Sequence, residues 1–155
     1  MQVTLEPLND AEYADFAQRQ VIEHARQQVN AGEWAEAEAL DRARQSLRDL
    51  LEDSLRARGH LFFKGVNPAG QRIGWLWVGP TPSFLAQENA RWLSQITIDE
   101  PVRGQGYGRA LLVALEEHLR NAGVEELYLR VFKWNTVARH LYDSQGFEAV
   151  ADFRT

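Results

Sequence analysis

The run "RGQGYGR", Arg103 to Arg109, places three alternating glycines between "QITIDEPV" and "ALLVALEEHLR". The first flank alternates as a strand does, and the second repeats Leu111, Leu112, Leu115 and Leu119 at helical spacing. A further strand pattern, "EELYLRVF", follows that helix. This arrangement constrains the chain more than any other feature. Two strands joined by a helix lie parallel, and their crossover is right-handed. The glycines add a second constraint. The first turn of a helix offers N–H groups with no internal partner, in the positive potential of the helix dipole. Glycine lets those amides approach an anion and permits dihedrals that other residues resist. Strand, glycine turn and helix together make a phosphate cradle.

Two common phosphate motifs do not fit. The Walker pattern needs Gly-Lys followed by Ser or Thr, which this chain lacks. In the dinucleotide fingerprint G-x-G-x-x-G, counted from Gly104 and Gly106, the third glycine falls at Arg109.

The rest of the chain supplies one mixed sheet. "VTLEPL" alternates as a short strand, and Asn9 with Glu12 three residues on forms a capping box. Residues 10–29 then repeat Tyr13, Phe16, Ala17, Val21, Ala25 and Val29 at helical spacing. After "NAG" a second helix is expected from about Glu33 to Arg58, burying Leu40, Ala43, Leu47, Leu50, Leu51 and Leu55. "HLFFKGV" and "QRIGWLWVG" read as a hairpin turned by "NPAG", and "RWLSQITID" as the next strand. Asn135 caps a short helix over 135–145 that ends at Gly146, and "FEAVADFRT" supplies a last strand. The order is β-α-α-β-β-β-α-β-α-β, an α/β (α+β) mixed sheet with helices on both faces, in a single domain over residues 1–155.

Composition narrows the chemistry. Cysteine is absent from the 155 residues, which removes disulfides, thiolate zinc sites and any cysteine-bound intermediate. His24, His60, His118 and His140 stand too far apart for metal-ligand spacing, so no metal is expected. No apolar run is long enough to span a membrane and the start lacks a signal-peptide pattern, so the expected location is the cytoplasm. The net charge of −5 argues against nucleic acid. Residues 1–58 hold 12 acidic and 7 basic side chains, and the remainder 10 of each. The excess acid reads as solvated helix faces, or as an acidic mouth for a cationic substrate.

Arg103-Gly104-Gln105-Gly106-Tyr107-Gly108 matches the pattern [Q/R]-x-x-G-x-[G/A] of the GNAT acyltransferase superfamily. "NTVARHLYDSQGF" resembles that family's second segment, with Asn135, Ala138, Leu141, Tyr142, Gly146 and Phe147 in place. The detailed resemblance covers about residues 92–150, which become the expected acyl-CoA-binding core; residues 10–58 become the acceptor-side helices.

The resemblance implies acetyl-CoA as co-substrate, its pyrophosphate held in the cradle of Arg103, Gly104, Gln105, Gly106, Tyr107, Gly108 and Arg109. It implies a pantetheine arm paired with the backbone of Ile96 and Ile98, as an added strand would be. A backbone N–H near Ile98 would polarise the thioester carbonyl. Asn135 would contact the arm besides capping its helix, and the Tyr142 hydroxyl would protonate the departing thiolate as general acid. The base is not legible. An acceptor ammonium with a pKa of about 10.4 reaches its neutral form at pH 7 at a cost of roughly 4–5 kcal/mol. Gln95 and Thr97 cannot act as bases, and Asp99, Glu100, Glu23, His24, His60 and Glu88 remain candidates. Trp75, Trp77, Trp92 and Trp134 are expected mostly as core or pocket wall, with Trp134 also placed to line the acyl or acceptor side. Family members usually carry one strand more after the last helix, which implies either a more open acceptor side or an edge free to make a homodimer.

The expected activity is acyl-CoA-dependent N-acyl transfer, with direct attack by a primary amine in a ternary complex. The acceptor is a small polyamine, an aminoglycoside-like compound, an amino acid or a peptide N-terminus. A sensor or interaction module that binds acyl-CoA without turnover is the reading from another class.

Overall fold

The computed structural model describes residues 2–82, 85 and 88–150. Elements run in the order β1 (Thr4–Pro7), α1 (Asp10–Asn30), α2 (Glu36–Ser46), α3 (Arg48–Leu51), α4 (Ser54–Ala57), β2 (Leu61–Val66), β3 (Arg72–Gly79), β4 (Ala90–Ile98), α5 (Tyr107–Asn121), β5 (Glu126–Leu129) and α6 (Thr136–Ser144). The five strands form one open sheet in the order β1-β2-β3-β4-β5. β3 and β4 pair antiparallel, and β4 and β5 pair parallel across the α5 crossover, as expected. The chain divides into two compact units, residues 7–63 and residues 1–6 with 64–155.

In the first unit, α1 begins where the sequence puts it. The Asn9 side chain accepts from the Glu12 amide at 2.8 Å, and the Glu12 carboxylate accepts from the Asn9 amide at 3.0 Å. Val21 and Ala25 of α1 pack with Ala39 and Ala43 of α2, flanked by Val29, Trp34, Leu47 and Leu51. Tyr13 and Phe16 meet Phe62 edge-on at ring-centroid distances of 5.0 and 5.5 Å.

The single helix expected over 33–58 is instead three. The chain leaves helical geometry at Leu47 and turns again at Asp53, a non-glycine residue in the left-handed region at φ 57°. Arg56 compensates that turn: its guanidinium is paired with the Asp53 carboxylate, reaches Asp10, and lies 4.3 Å over the Tyr13 ring. The Tyr13 hydroxyl donates to the Leu50 carbonyl at 2.5 Å, fixing the α3 turn against α1. These breaks rotate the buried face, so Ala39, Ala43 and Leu50 are buried while Leu40 is exposed. Much of the unit's acid is neutralised locally, through pairs such as Asp15–Arg19, Glu23–Arg26, Glu38–Arg42 and Glu52–Arg48 on exposed faces. Exposed pairs of this kind contribute at most about 1 kcal/mol each.

The second unit is built on α5. Leu111, Leu112 and Leu115 are fully buried, and Leu111 explains a glycine in β2. A Cβ on Gly65 would stand 2.6 Å from Leu111 Cδ1 and 3.0 Å from Val3 Cγ1. The "NPAG" turn forms as expected, with the Asn67 carboxamide oxygen accepting from the Ala69 and Gln71 amides at 3.0 and 2.9 Å.

β5 stops at Leu129, short of the expected Phe132, and residues 147–150 take no strand geometry. The remainder of the expected last strand, 151–155, lies outside the described residues. Among the described residues, no helix is long and apolar enough to cross a membrane and no group of side chains could hold a metal ion.

Candidate active site

Strand β4 carries a bulge. Trp77 pairs with Gln95 but Val78 with Leu93, so Ser94 is the extra residue. A bulge bends and twists its strand. Pairing of β4 with β5 runs from Ala90 opposite Glu126 to Leu93 opposite Leu129 and ends there, while β4 continues to Ile98. Beyond Leu93 this edge of β4 runs on to Ile98 after β5 has ended, and the opening there, termed the fork, begins at the bulge.

The fork's polar lining follows from the ladder. The Asp99 amide bonds to the Ile73 carbonyl at 2.8 Å, so the main-chain groups of Gln95, Thr97 and Asp99 face β3. Those of Ile96 and Ile98 therefore face the fork. One of them has a partner: Arg103 Nε donates to the Ile98 carbonyl at 2.9 Å, closing the turn between β4 and the glycine run. The Ile96 carbonyl and the amides of Ile96 and Ile98 remain as the groups a ligand could meet.

Past that turn the glycines divide their duties. Gly104 and Gly106 have φ of 77° and 87°, the left-handed region in which a side chain is strained. Gly106 is also the N-cap of α5. Gly108 lies within the helix, where an added Cβ would come 3.5 Å from Leu141 Cδ2 and 3.9 Å from Ile98 Cγ1. The end of β4, the cradle and α6 thus meet at one residue. The first intrahelical bond is from the Ala110 amide to the Gly106 carbonyl at 3.2 Å, so the amides of Tyr107, Gly108 and Arg109 come before it. No acidic residue occupies the first turn of α5, and its positive end is uncompensated. An anionic group fits here, and Arg103 and Arg109 flank it.

Neighbouring elements hold the cradle. The Tyr107 hydroxyl is 3.4 Å from the Asn67 carboxamide nitrogen in the hairpin turn. Arg109 Nη2 donates to Ser144 Oγ at 3.0 Å, tying the first turn of α5 to the end of α6. At the other end of α6, Asn135 accepts from the Ala138 amide at 3.2 Å and so performs the expected cap.

Tyr142, on the last turn of α6, is half-buried and packs edge-on against Phe147 at 5.6 Å. Burial pushes its phenol above the usual tyrosine range, which keeps the proton on it. Tyr142 also lines a cavity of about 840 Å³, with Trp92, Arg120, Tyr128 and Phe147 among its walls. Glu116 of α5 lines the same cavity, and burial there raises its carboxyl above the ordinary range despite opposing Arg120. Glu116 is not among the candidates that the sequence offers. The available signal was its position four residues after Leu112, on the edge of the leucine stripe.

The base candidates divide between the two units. Asp99 is held by Arg72 at 2.9 Å, Glu100 lies in a one-turn 3-10 helix, and Glu88 is exposed. In the other unit, Glu23 is paired with Arg26 and His24 packs edge-on to Trp34 at 5.3 Å. Burial first, and then the charge of Arg58, hold the His60 imidazole below its usual value. Gln95 and Thr97 bond each other along β4 at 3.2 Å. Trp134, expected in the core or a pocket wall, is 75% exposed; it falls in the loop after β5, which has already left the sheet.

The sequence model of the acetyltransferase (GNAT) family matches residues 26–147. The uncharacterized N-acetyltransferase YdgE of Bacillus subtilis strain 168 is 31% identical over 147 residues, covering 95% of this chain and 92% of its own. The crystal structure of YycN from Bacillus subtilis superposes with a TM-score of 0.81 at 27% identity, over 99% of this chain and 97% of that one. A PaiA N-acetyltransferase from Thermoplasma acidophilum, crystallised with coenzyme A, shares the fold at a TM-score of 0.63 and 19% identity, over 96% and 91% of the two chains. The chain belongs to the GNAT acetyltransferase family.

Proposed function

Taking GNAT membership as the premise, we propose that this protein is an acyl-CoA-dependent N-acyltransferase that moves acetyl from acetyl-CoA to a primary amine by direct attack. The whole chain acts as one catalytic domain. The observation that carries the reading is the meeting of fork, cradle and α6 at Gly108. Those are the three parts that a diphosphate, an extended amide arm and a thioester would each require.

In this reading the amides of Gln105 to Arg109 receive the pyrophosphate. The fork receives the pantetheine arm as a substitute strand. Arg103 already occupies the Ile98 carbonyl, so the arm's N–H is accepted by Ile96. The Ile96 and Ile98 amides are left to donate, one of them to the thioester carbonyl as charge builds on its oxygen. Asn135 holds the start of α6 and Tyr142 delivers the proton that the leaving thiolate takes up. A phenol pushed upward by burial is a reservoir that stays full at neutral pH. No cysteine is present to carry an acetyl group, which fits transfer in one step.

The test is release of CoA thiol from acetyl-CoA with a panel of amines: a polyamine, an aminoglycoside, free amino acids and a peptide with a free N-terminus. Turnover with one class supports the proposal and names the acceptor. Tight acetyl-CoA binding without release for any class would replace it with an acyl-CoA-binding module.

A further inference from the structure

The loop between β5 and α6 carries an aromatic stack outside the core, of which Phe132 lines the same cavity as Tyr142. Phe132 and Trp134 lie parallel, with centroids 5.6 Å apart and planes within 10°. The Arg130 guanidinium is 5.4 Å from the Phe132 ring. Phe132 is 56% exposed and Trp134 75%. Leaving the largest side chain so open is unusual for a tryptophan, which is normally well covered.

The stack is held by the backbone rather than by burial. The Asn135 amide bonds to the Phe132 carbonyl and the Thr136 amide to the Trp134 carbonyl, both at 3.0 Å. Arg139 Nη1 donates to the Lys133 carbonyl at 3.2 Å. A loop fixed this way presents its rings with little entropy left to lose on binding.

Charge decides which ring would add to it. The segment "RVFKWNTVAR", Arg130 to Arg139, holds three cations and no acid. Glu126, the acid preceding it, accepts from the Tyr128 hydroxyl at 2.8 Å. An exposed indole among cations disfavours an ammonium ligand and favours a planar group that carries negative charge. Aromatic rings interleaved with basic residues are the chemistry of nucleotide stacking.

We propose that Phe132 and Trp134 form a platform for the purine of the acyl-CoA, with Arg130, Lys133 and Arg139 supplying the field for its ribose phosphate. The proposal rests on the acyltransferase reading for the identity of the nucleotide. Helix α6 connects the platform to the cradle. Its far end touches the cradle through Leu141 and Ser144, and its nine residues span about 13 Å at ~1.5 Å each. A molecule with its diphosphate on α5 has its nucleotide end free to fold along α6 toward Trp134.

The test uses adenosine 3′,5′-bisphosphate, which carries the nucleotide without the thioester, followed by tryptophan fluorescence and calorimetry. Wild-type protein should bind it, and Trp134→Ala should weaken binding about fivefold to a hundredfold, the range for one lost base–aromatic stack. Trp134→Phe should restore most of the affinity. Thermal unfolding of Trp134→Ala should match wild type, since an exposed ring holds nothing in place. In turnover, the loss in kcat/KM for Trp134→Ala should be about tenfold larger with acetyl-CoA than with acetyl-pantetheine. No binding of the bisphosphate by wild type, or equal binding by Trp134→Ala, would overturn the platform. Equal losses with both thioesters would overturn it as well. Bisphosphate binding that needs Trp134, without acetyl transfer to any amine, would leave the platform standing and remove the acyltransferase reading.

Discussion

The three glycines of the cradle make different demands, and substituting them one at a time separates those demands. At Gly106 the backbone is left-handed with φ 87°, where a Cβ costs about 1–2 kcal/mol. At Gly108 the backbone is helical and a Cβ would find Leu141 Cδ2 at 3.5 Å and Ile98 Cγ1 at 3.9 Å, ordinary contact distances. There alanine also gains roughly 1 kcal/mol of helix propensity over glycine. Gly106→Ala should therefore lose about 1–2 kcal/mol, and Gly108→Ala should be neutral or up to about 1 kcal/mol more stable. For a chain of 155 residues each kcal/mol moves the midpoint by about 2–4 °C. Gly106→Ala should melt roughly 2–8 °C lower and Gly108→Ala no lower than wild type. Ligand binding should separate them again. Turning the Gly106 amide away from a diphosphate removes a hydrogen bond to charge, of about 1.5–3 kcal/mol, so its acetyl-CoA affinity should fall by about tenfold to a hundredfold. Calorimetric melts and acetyl-CoA titrations of both variants give the answer. If Gly108→Ala melts as low as Gly106→Ala, the assignment of dihedral to one glycine and packing to the other is wrong.

Three other perturbations follow from the same geometry. Tyr142→Phe should lower kcat by about a hundredfold or more with acetyl-CoA affinity intact, and the alkaline limb of the wild-type rate that belongs to Tyr142 should lie above the usual tyrosine value, because burial raises its pKa; full turnover would remove it as the acid. The Tyr13 phenol is pushed up to about 12, first by burial and then by Asp53. The folded chain thus keeps that proton longer than the unfolded chain does. Its stabilisation should be complete below pH 10 and fall as pH rises from 10 to 12, and urea unfolding of Tyr13→Phe should show about 1–3 kcal/mol less stability near neutrality with a weaker alkaline decline. Asn9→Ala, which removes one arm of the α1 capping box, should cost about 1 kcal/mol, read as a lower urea midpoint at unchanged slope.

Local chemistry was legible from the sequence, and tertiary compromise was not. The capping box at Asn9 and Glu12, the Asn67 turn and the β4-α5-β5 crossover each depend on a few neighbouring residues, and each formed as read. The glycine run announced a cradle, but its sequence could not say that only Gly104 and Gly106 are left-handed. Residues 33–58 kept a helical rhythm throughout, yet the helix breaks where Asp53 and Arg56 offer a turn and the Tyr13 hydroxyl claims the Leu50 carbonyl. The bulge at Ser94 left no mark either, since serine is unexceptional in a strand, and it decides where the fork begins. Trp134 was misplaced for the same reason: a strand ending at Leu129 strands the ring outside the sheet.

The fork is a property of the backbone. Where Leu93 faces Leu129 the strands are one hydrogen-bonded spacing apart, about 4.8 Å, and beyond the bulge β4 runs on to Ile98 after β5 has ended. The opening is set by the main chain before any side chain contributes, and removing Ser94 would take away the bulge at which it begins.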